Sequence, residues 1–249
     1  MKKVSIILLA NEDYLKNRYC YETALSKIEA IEIQLLVGNL NSDNTDKSAE
    51  FFKLKINDKD ELTPNEFTND YGYKWYPKEI SETKVANDLM RFATGEYICI
   101  LKPTTLLDEH WLSDLIHYYE SVDRSGVISI SDGFENLSYL PLISEGDKFV
   151  NVMQPDVSWI KDLCFFKREF LNHVGCFDEE IENYDNALKQ LCLRFTALGY
   201  NNYYIPSQTC VKVNSAKGID VIQDKKENQY IANSLVEMKQ RKSYYLPLR

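Results

Sequence analysis

The chain has 249 residues, of which 44% are hydrophobic and 27% are charged, a composition that suits one large α/β domain with a sizeable core. A formal net charge of −9 argues against a general nucleic-acid partner, because such proteins present a basic face. No apolar run approaches the ~20 residues of a membrane span, and the acidic composition gives no support for membrane association.

The first part of the chain alternates strands and helices. Apolar runs predict strands at residues 4–9 and 31–37, and periodic patterns predict helices at 14–28 and 46–52. This βαβ order predicts a parallel sheet. Residues 57–80 are polar and aromatic without periodicity, which predicts a loop.

The central stretch, residues 82–112, combines a helix, a turn and a strand. Val85, Leu89 and Phe92 lie at near-helical spacing, and Gly95 is expected to end the helix with a positive φ. Residues 97–101 form a continuous apolar run, typical of a strand buried on both faces. A polar loop follows at 102–105. Because ligands bind outside the carboxyl ends of strands in open α/β sheets, we expect any chemistry at this loop.

The remaining patterns complete one domain. We predict a mainly parallel, Rossmann-like sheet flanked by helices over residues 1–215, and a helical extension over 216–249. The elements after the central stretch are helices at 107–121, 167–174, 186–198 and 224–242, strands at 127–131, 163–166 and 202–205, and an irregular segment at 132–155.

The six cysteines form no C-x-x-C pair, and most lie inside apolar patterns. Buried free thiols in a reducing compartment are the simplest interpretation. The sequence therefore predicts a cytoplasmic protein.

Several segments, in their order and spacing, resemble glycosyltransferase family 2, which has the GT-A fold. The resemblance covers roughly residues 4–213. It implies inverting transfer of a sugar from a nucleotide sugar, in most cases a UDP-sugar, to a hydroxyl acceptor. The matching segments are 4–7 and 11–16, 86–87 and 93–98, 106–112, 167–170 and 174–179, and 191–194, 198–200 and 205–207.

The chain departs from the family where the family holds its donor. The Asp-x-Asp that binds a divalent cation falls on Lys102-Pro103-Thr104, and the late histidine falls on Lys212. The early base-reading aspartate falls on Gly38, although Asp43 of the same loop is retained. Without carboxylates after the central strand, we expect no divalent-metal site and no metal cofactor.

The resemblance, carried over residue by residue, also implies roles for individual side chains. The family's acidic pair falls on Ala187-Leu188 when the segments are aligned without a gap. With a two-residue insertion in the preceding loop, Asp185 is the candidate general base, and its simpler interpretation is a helix N-cap. The expected donor and diphosphate contacts are Lys102, Thr104, Lys212, Asn39, Asp43 and Asn87, and the expected acceptor-side residues are Trp111, Asp178 and Glu179.

Two hypotheses follow from the lost ligands. In one, the chain is a metal-independent glycosyltransferase in which Lys102 and Lys212 bind the leaving diphosphate through their ammonium groups. In the other, it is an inactive pseudo-glycosyltransferase that acts as a binding or scaffolding subunit of a second, active glycosyltransferase. The sequence leaves both open.

Overall fold

The structure is a computed structural model that describes residues 2–25, 31–41, 47–57, 67–107, 110–131, 138–142, 150–154, 163–206 and 211–212. The strands are β1 (Lys2–Ala10), β2 (Ile31–Leu40), β3 (Tyr71–Tyr76), β4 (Tyr97–Leu101), β5 (Thr105–Leu106), β6 (Ser125–Ser131), β7 (Ser138–Leu142), β8 (Val150–Gln154), β9 (Cys164–Lys167), β10 (Asn201–Pro206) and β11 (Val211–Lys212). The helices are α1 (Tyr14–Leu25), α2 (Lys47–Asn57), α3 (Glu82–Met90), α4 (Trp111–Ser121), α5 (Leu171–Val174) and α6 (Tyr184–Ala197), and a 3₁₀ turn spans Arg168–Phe170.

A nine-stranded mixed sheet organises these elements in the order β3-β2-β1-β4-β9-β6-β10-β8-β7. The strands β3, β2, β1 and β4 run parallel, which confirms the parallel sheet predicted from the βαβ order. β9 runs antiparallel between β4 and β6. All five residues of β4 are buried, as its continuous apolar run predicts. The carboxyl ends of the four parallel strands therefore lie at the same end of the sheet.

The structure adds strands where the sequence predicted loops. β3 lies inside the predicted loop 57–80. Its tyrosines pack against the core and favour a strand, but the segment has no simple alternation that would indicate one. β7 and β8 pair within the segment predicted to be irregular. The predicted C-terminal extension, residues 216–249, lies outside the described residues. In the part of the chain that is described, no helix is long and apolar enough to span a bilayer.

Gly95 is required for a reason different from the one predicted. Gly95 does not have the positive φ that was predicted; among the described glycines, Gly175 and Gly199 have positive φ values. A Cβ on Gly95 would lie 2.4 Å from the backbone nitrogen of Ser5 and 2.8 Å from the carbonyl carbon of Val4. The Gly95 amide also donates to the Ser5 hydroxyl at 2.8 Å. The glycine thus permits the close approach of the turn before β4 to β1.

We expect Gly95→Ala to lower the free energy of unfolding by about 1–3 kcal/mol, because backbone atoms of β1 cannot move aside as a flexible side chain can. Urea denaturation followed by circular dichroism measures the change. Gly199→Asn is the control, since that position is open and asparagine tolerates its left-handed backbone. Equal stability of Gly95→Ala and the unmodified chain would contradict the close-approach explanation.

An ion pair joins α3 to the edge strand β3. Lys74 Nζ lies 2.5 Å from Asp88 Oδ2, and the Tyr76 hydroxyl donates to the same oxygen at 2.6 Å. Burial alone raises the pKa of Asp88, but the hydrogen bonds from Lys74 and Tyr76 outweigh it and hold that pKa below its usual value. Burial, together with the bond to Asp88, raises the pKa of Tyr76. The ionised carboxylate therefore stabilises the fold.

Because the pKa of Asp88 is lower in the folded state, its carboxylate stabilises the fold at pH values above the unfolded-state pKa of about 4. This stabilisation is lost as the pH falls through the folded-state pKa. We expect Asp88→Asn to lower stability by about 0.5–1.5 kcal/mol near neutral pH, with the difference from the unmodified chain shrinking in acid. Urea midpoints measured across the acid range test this. Asp70→Asn, an exposed change of equal charge, is the control. A pH-independent difference would contradict the role of the charge.

Candidate functional site

The carboxyl ends of the parallel strands bring the predicted diphosphate-binding positions together. Lys102 directly follows β4, and the chain then turns through Pro103 and Thr104 into β5. β11 pairs antiparallel with β5, so that Lys212 is the register partner of Thr105. The two lysines predicted to contact the diphosphate therefore lie at the same end of the sheet. Thr104 is half-buried there.

Lys102 is the centre of a charged cluster, the Lys102 cluster, that contains Lys102, Glu82, Tyr184 and Asp185. Its Nζ lies 2.9 Å from Glu82 Oε2 and 3.9 Å from Asp185 Oδ1. The side chain of Lys102 is 19% exposed, against 32% for Glu82 and 37% for Asp185. One ammonium thus faces two carboxylates, and the cluster carries a net negative charge.

Two helices deliver the carboxylates of the cluster. Ser81 caps α3 by accepting from the Lys84 amide at 3.3 Å, which places Glu82 in the first turn. Asn183 caps α6 by accepting from the Asn186 amide at 3.1 Å. Asp185 therefore lies in the first turn of α6, where the helix dipole favours a carboxylate, and is not the N-cap. The first turns of both helices therefore place a carboxylate near the end of β4.

Tyr184 forms the buried floor of the cluster. Lys102 Nζ lies 5.4 Å from the centroid of its ring, within the range of a cation–π contact. Tyr184 is fully buried, and its hydroxyl has no hydrogen-bond partner among the described residues. Burial raises the pKa of this hydroxyl well above its usual value, and the neighbouring groups Cys164, Asp185 and Glu82 add to the increase. Tyr184 is therefore a neutral, apolar surface beneath the ammonium.

The position of the family's base-reading aspartate has no room for a side chain. Gly38 lies inside β2, and a Cβ there would meet Val85 of α3 at 2.4 Å. The next residue, Asn39, is fully buried and donates from Nδ2 to the Tyr73 hydroxyl at 3.2 Å. Within the part of the chain that the structure describes, its Oδ1 has no hydrogen-bond partner. The packing of α3 thus explains the glycine. Asp43, the other acidic candidate, lies outside the described residues.

Asn87 joins α3 to the predicted acceptor-side segment. Its Nδ2 donates to the Phe177 carbonyl at 2.9 Å and to Glu179 Oε1 at 3.1 Å, and its Oδ1 accepts from the Phe177 amide at 2.9 Å. Asp178 accepts from the Glu180 amide at 3.1 Å and so shapes the same turn. The amide of Asn87 is thus engaged in holding this segment in place. Its predicted donor contact stays a prediction.

Trp111 occupies a core position. It is buried, and its Nε1 donates to the Ala24 carbonyl at 3.3 Å, which fastens α4 to α1. This side chain has a structural role in the described chain, and its predicted acceptor contact stays a prediction. Glu82 and Tyr184 are the members of the cluster that sequence reasoning missed. The sequence places Glu82 at a helix start, but only the packing of α3 shows that this start faces Lys102.

Comparison with known proteins identifies the fold. No protein-family model matches the sequence, and no curated protein matches it. Among solved structures, the mannosyltransferase PcManGT from Pyrobaculum calidifontis is similar with a TM-score of 0.64 and 14% identity over 94% of this chain and 64% of that one. For TarS 1–349 from S. aureus the TM-score is 0.57 and the identity 12%, over 95% of this chain and 65% of that one. For GalNAc-T7 the TM-score is 0.60 and the identity 9%, over 88% of this chain and 44% of that one.

The chain thus has the GT-A fold of these glycosyltransferases, as the resemblance predicted. It spans less than two thirds of the length of each of the three similar chains. At identities this low the likeness shows the fold alone, and membership of family 2 stays a prediction.

The prediction that this chain has no metal cofactor is wrong, because similar structures of the same fold contain a divalent cation. PcManGT was solved with GDP-Man and Mn²⁺, and GalNAc-T7 with UDP, GalNAc and Mn²⁺. The prediction failed because it judged the need for a cation from one loop of this chain, whereas structures of the same fold hold the cation together with their nucleotide.

The residues described after β4 nevertheless do not fit a divalent cation. The loop 102–104 has no carboxylate, and the ammonium of Lys102 already lies between Glu82 and Asp185. Within the described ranges, no three His, Cys, Asp or Glu side chains are close enough to share a metal ion. Asp43, Asp108 and Glu109 lie outside those ranges. No catalytic step is therefore assigned to a metal.

We expect Asn87→Ala to destabilise the chain by about 2–4 kcal/mol, because it leaves the buried amide and carbonyl of Phe177 without their partner. Asn69→Ala, at an exposed position, is the matched control and should change stability by less than about 0.5 kcal/mol. Urea denaturation measures both. Similar midpoints for the two variants would show that Asn87 does not hold the segment before α6.

Proposed function

We propose that the chain is a glycosyltransferase that transfers a sugar from a nucleotide sugar, with a UDP-sugar as the first candidate, to a hydroxyl acceptor. The observation that carries the proposal is the pairing of Lys102 and Asp185 at the carboxyl end of β4. The cation suits a diphosphate, and the carboxylate suits a proton acceptor. Similar chains of this fold were solved with GDP-Man, UDP or UDP-GlcNAc, which supports a nucleotide sugar.

In the proposed reaction the acceptor oxygen attacks the anomeric carbon, and the bond from that carbon to the diphosphate oxygen breaks. Asp185 takes the hydroxyl proton. Lys102 stabilises the negative charge that develops on the departing diphosphate. In an inverting displacement the two oxygens lie on opposite faces of the sugar, so the donor must lie between Asp185 and Lys102 and separate them beyond 3.9 Å.

The net negative charge of the Lys102 cluster favours a second candidate. Two carboxylates within 4 Å of one ammonium oppose a diphosphate as well as neutralising the lysine. A chain that binds no nucleotide would then be a non-catalytic subunit that binds an active glycosyltransferase. Nucleotide binding separates the two candidates, because only the enzyme requires it.

Isothermal titration of the full chain with UDP, with and without MnCl₂, tests the proposal. We expect UDP to bind and Lys102→Met to weaken that binding at least about tenfold, because it removes a charge-assisted contact with the diphosphate. We expect Asp185→Asn to leave UDP affinity within about threefold and to abolish sugar transfer, because the base acts on the acceptor proton.

Lys84→Met is the matched control, since Lys84 is an exposed lysine on the same helix as Glu82. It should leave the affinity for UDP unchanged. The enzyme proposal fails if neither UDP nor GDP binds in any of these conditions. Co-purification of the chain with a second glycosyltransferase, in the absence of nucleotide binding, would support the subunit.

A further inference from the structure

We infer that Glu82 is an internal competitor of the donor diphosphate for Lys102, and that it sets the affinity of the chain for nucleotide diphosphates. The inference rests on the proposed function, because it concerns the same lysine. Glu82 begins the central stretch, but the sequence suggested chemistry only for the loop at 102–105 of that stretch and not for Glu82. Its part in the site follows only from the contact between the start of α3 and the end of β4.

The distances single out Glu82 as the primary counter-ion. Glu82 Oε2 lies 2.9 Å from the ammonium, which is hydrogen-bonding distance, whereas Asp185 Oδ1 lies at 3.9 Å. A phosphate oxygen that binds Lys102 at such a distance shares the three N–H donors and the positive charge of the ammonium with Glu82. Removal of Glu82 therefore frees an N–H donor of Lys102, whereas removal of Asp185, which lies beyond hydrogen-bonding distance, frees none.

The surroundings make this competition effective. Lys102 is mostly buried, and the ring of Tyr184 covers one side of its ammonium. Directions of approach to the ammonium are therefore limited, and a charge interaction here is less screened than at an exposed pair. A diphosphate next to Glu82 also meets a like charge. Both effects weaken diphosphate binding while Glu82 stays in contact with Lys102.

Glu82 has a second favourable position when it leaves Lys102. It occupies the first turn of α3, where the helix dipole stabilises a negative charge, and its side chain is one-third exposed. The displaced carboxylate can thus turn towards solvent at its own helix N-terminus. The exchange costs the ion pair alone and does not leave a buried, unpaired charge.

The test is a double-mutant cycle on UDP affinity, measured by isothermal titration with and without MnCl₂. We expect Glu82→Gln to tighten UDP binding by about three- to tenfold, because the amide no longer competes as a charge. In the Lys102→Met background we expect the same substitution to change affinity by less than about twofold, since the competition acts through Lys102.

Glu169→Gln is the control for net charge. Glu169 is exposed and lies just after β9. The last residue of β9, Lys167, pairs with the first residue of β4, so Glu169 lies at the end of the sheet opposite to Lys102. It should leave UDP affinity unchanged. Glu82→Asp, whose carboxylate is one methylene shorter, should give an intermediate affinity and serves as the second variant if the glutamine variant does not fold.

The outcomes separate the inference from the proposed function. If UDP binds and Lys102→Met weakens it, but Glu82→Gln does not tighten it, the inference alone is wrong. Equal tightening in the Lys102→Met background also overturns the inference, because the effect is then general repulsion. Absence of binding of both UDP and GDP in every variant overturns the proposed function and the inference together.

Discussion

The structure depends on the burial of β4 between β1 and β9. Every residue of this strand is buried, and Gly95 lets the turn before it approach the backbone of β1. The register of β4 against β1 is fixed from Val4–Tyr97 to Leu8–Leu101. A strand packed on both faces and on both edges cannot slide, because a shift of one residue would exchange its faces. Its carboxyl end, and therefore Lys102, has a fixed position.

That fixed position explains the arrangement of charge in the site. A mostly buried ammonium requires a counter-ion, and the starts of α3 and α6 provide Glu82 and Asp185. Both carboxylates are in first turns, where helix dipoles already favour them. The same pairing that makes the lysine tolerable in the fold also limits its availability to an anion. Structural stability and ligand affinity are coupled at this point.

Helix α3 connects the two sides of the proposed site. Its first turn carries Glu82 to the end of β4, and Asn87 holds the backbone of Phe177, before α6. Val85 fills the space that a side chain at position 38 would need. One helix thus determines the surroundings of the lysine, the path of the acceptor-side segment and the glycine in β2.

The sequence by itself determined the class of fold. The apolar runs of β1, β2 and β4 and the glycines at 175 and 199 are local signals, because burial on both faces and left-handed helix ends each restrict the residues allowed. The position of Lys102 at the end of β4 follows from the same local signals.

Only the tertiary structure decided which groups surround Lys102. Glu82, Tyr184 and Asp185 are distant from it in sequence, and their contact depends on how α3 and α6 pack on the sheet. The role of Gly95 and the position of β3 could likewise not be predicted from the sequence. Close backbone approach and pairing at the edge of a sheet produce no periodic pattern of residues. Non-local contacts determine the surroundings of Lys102 because charge pairing in a buried position is a property of packed elements and not of neighbouring residues.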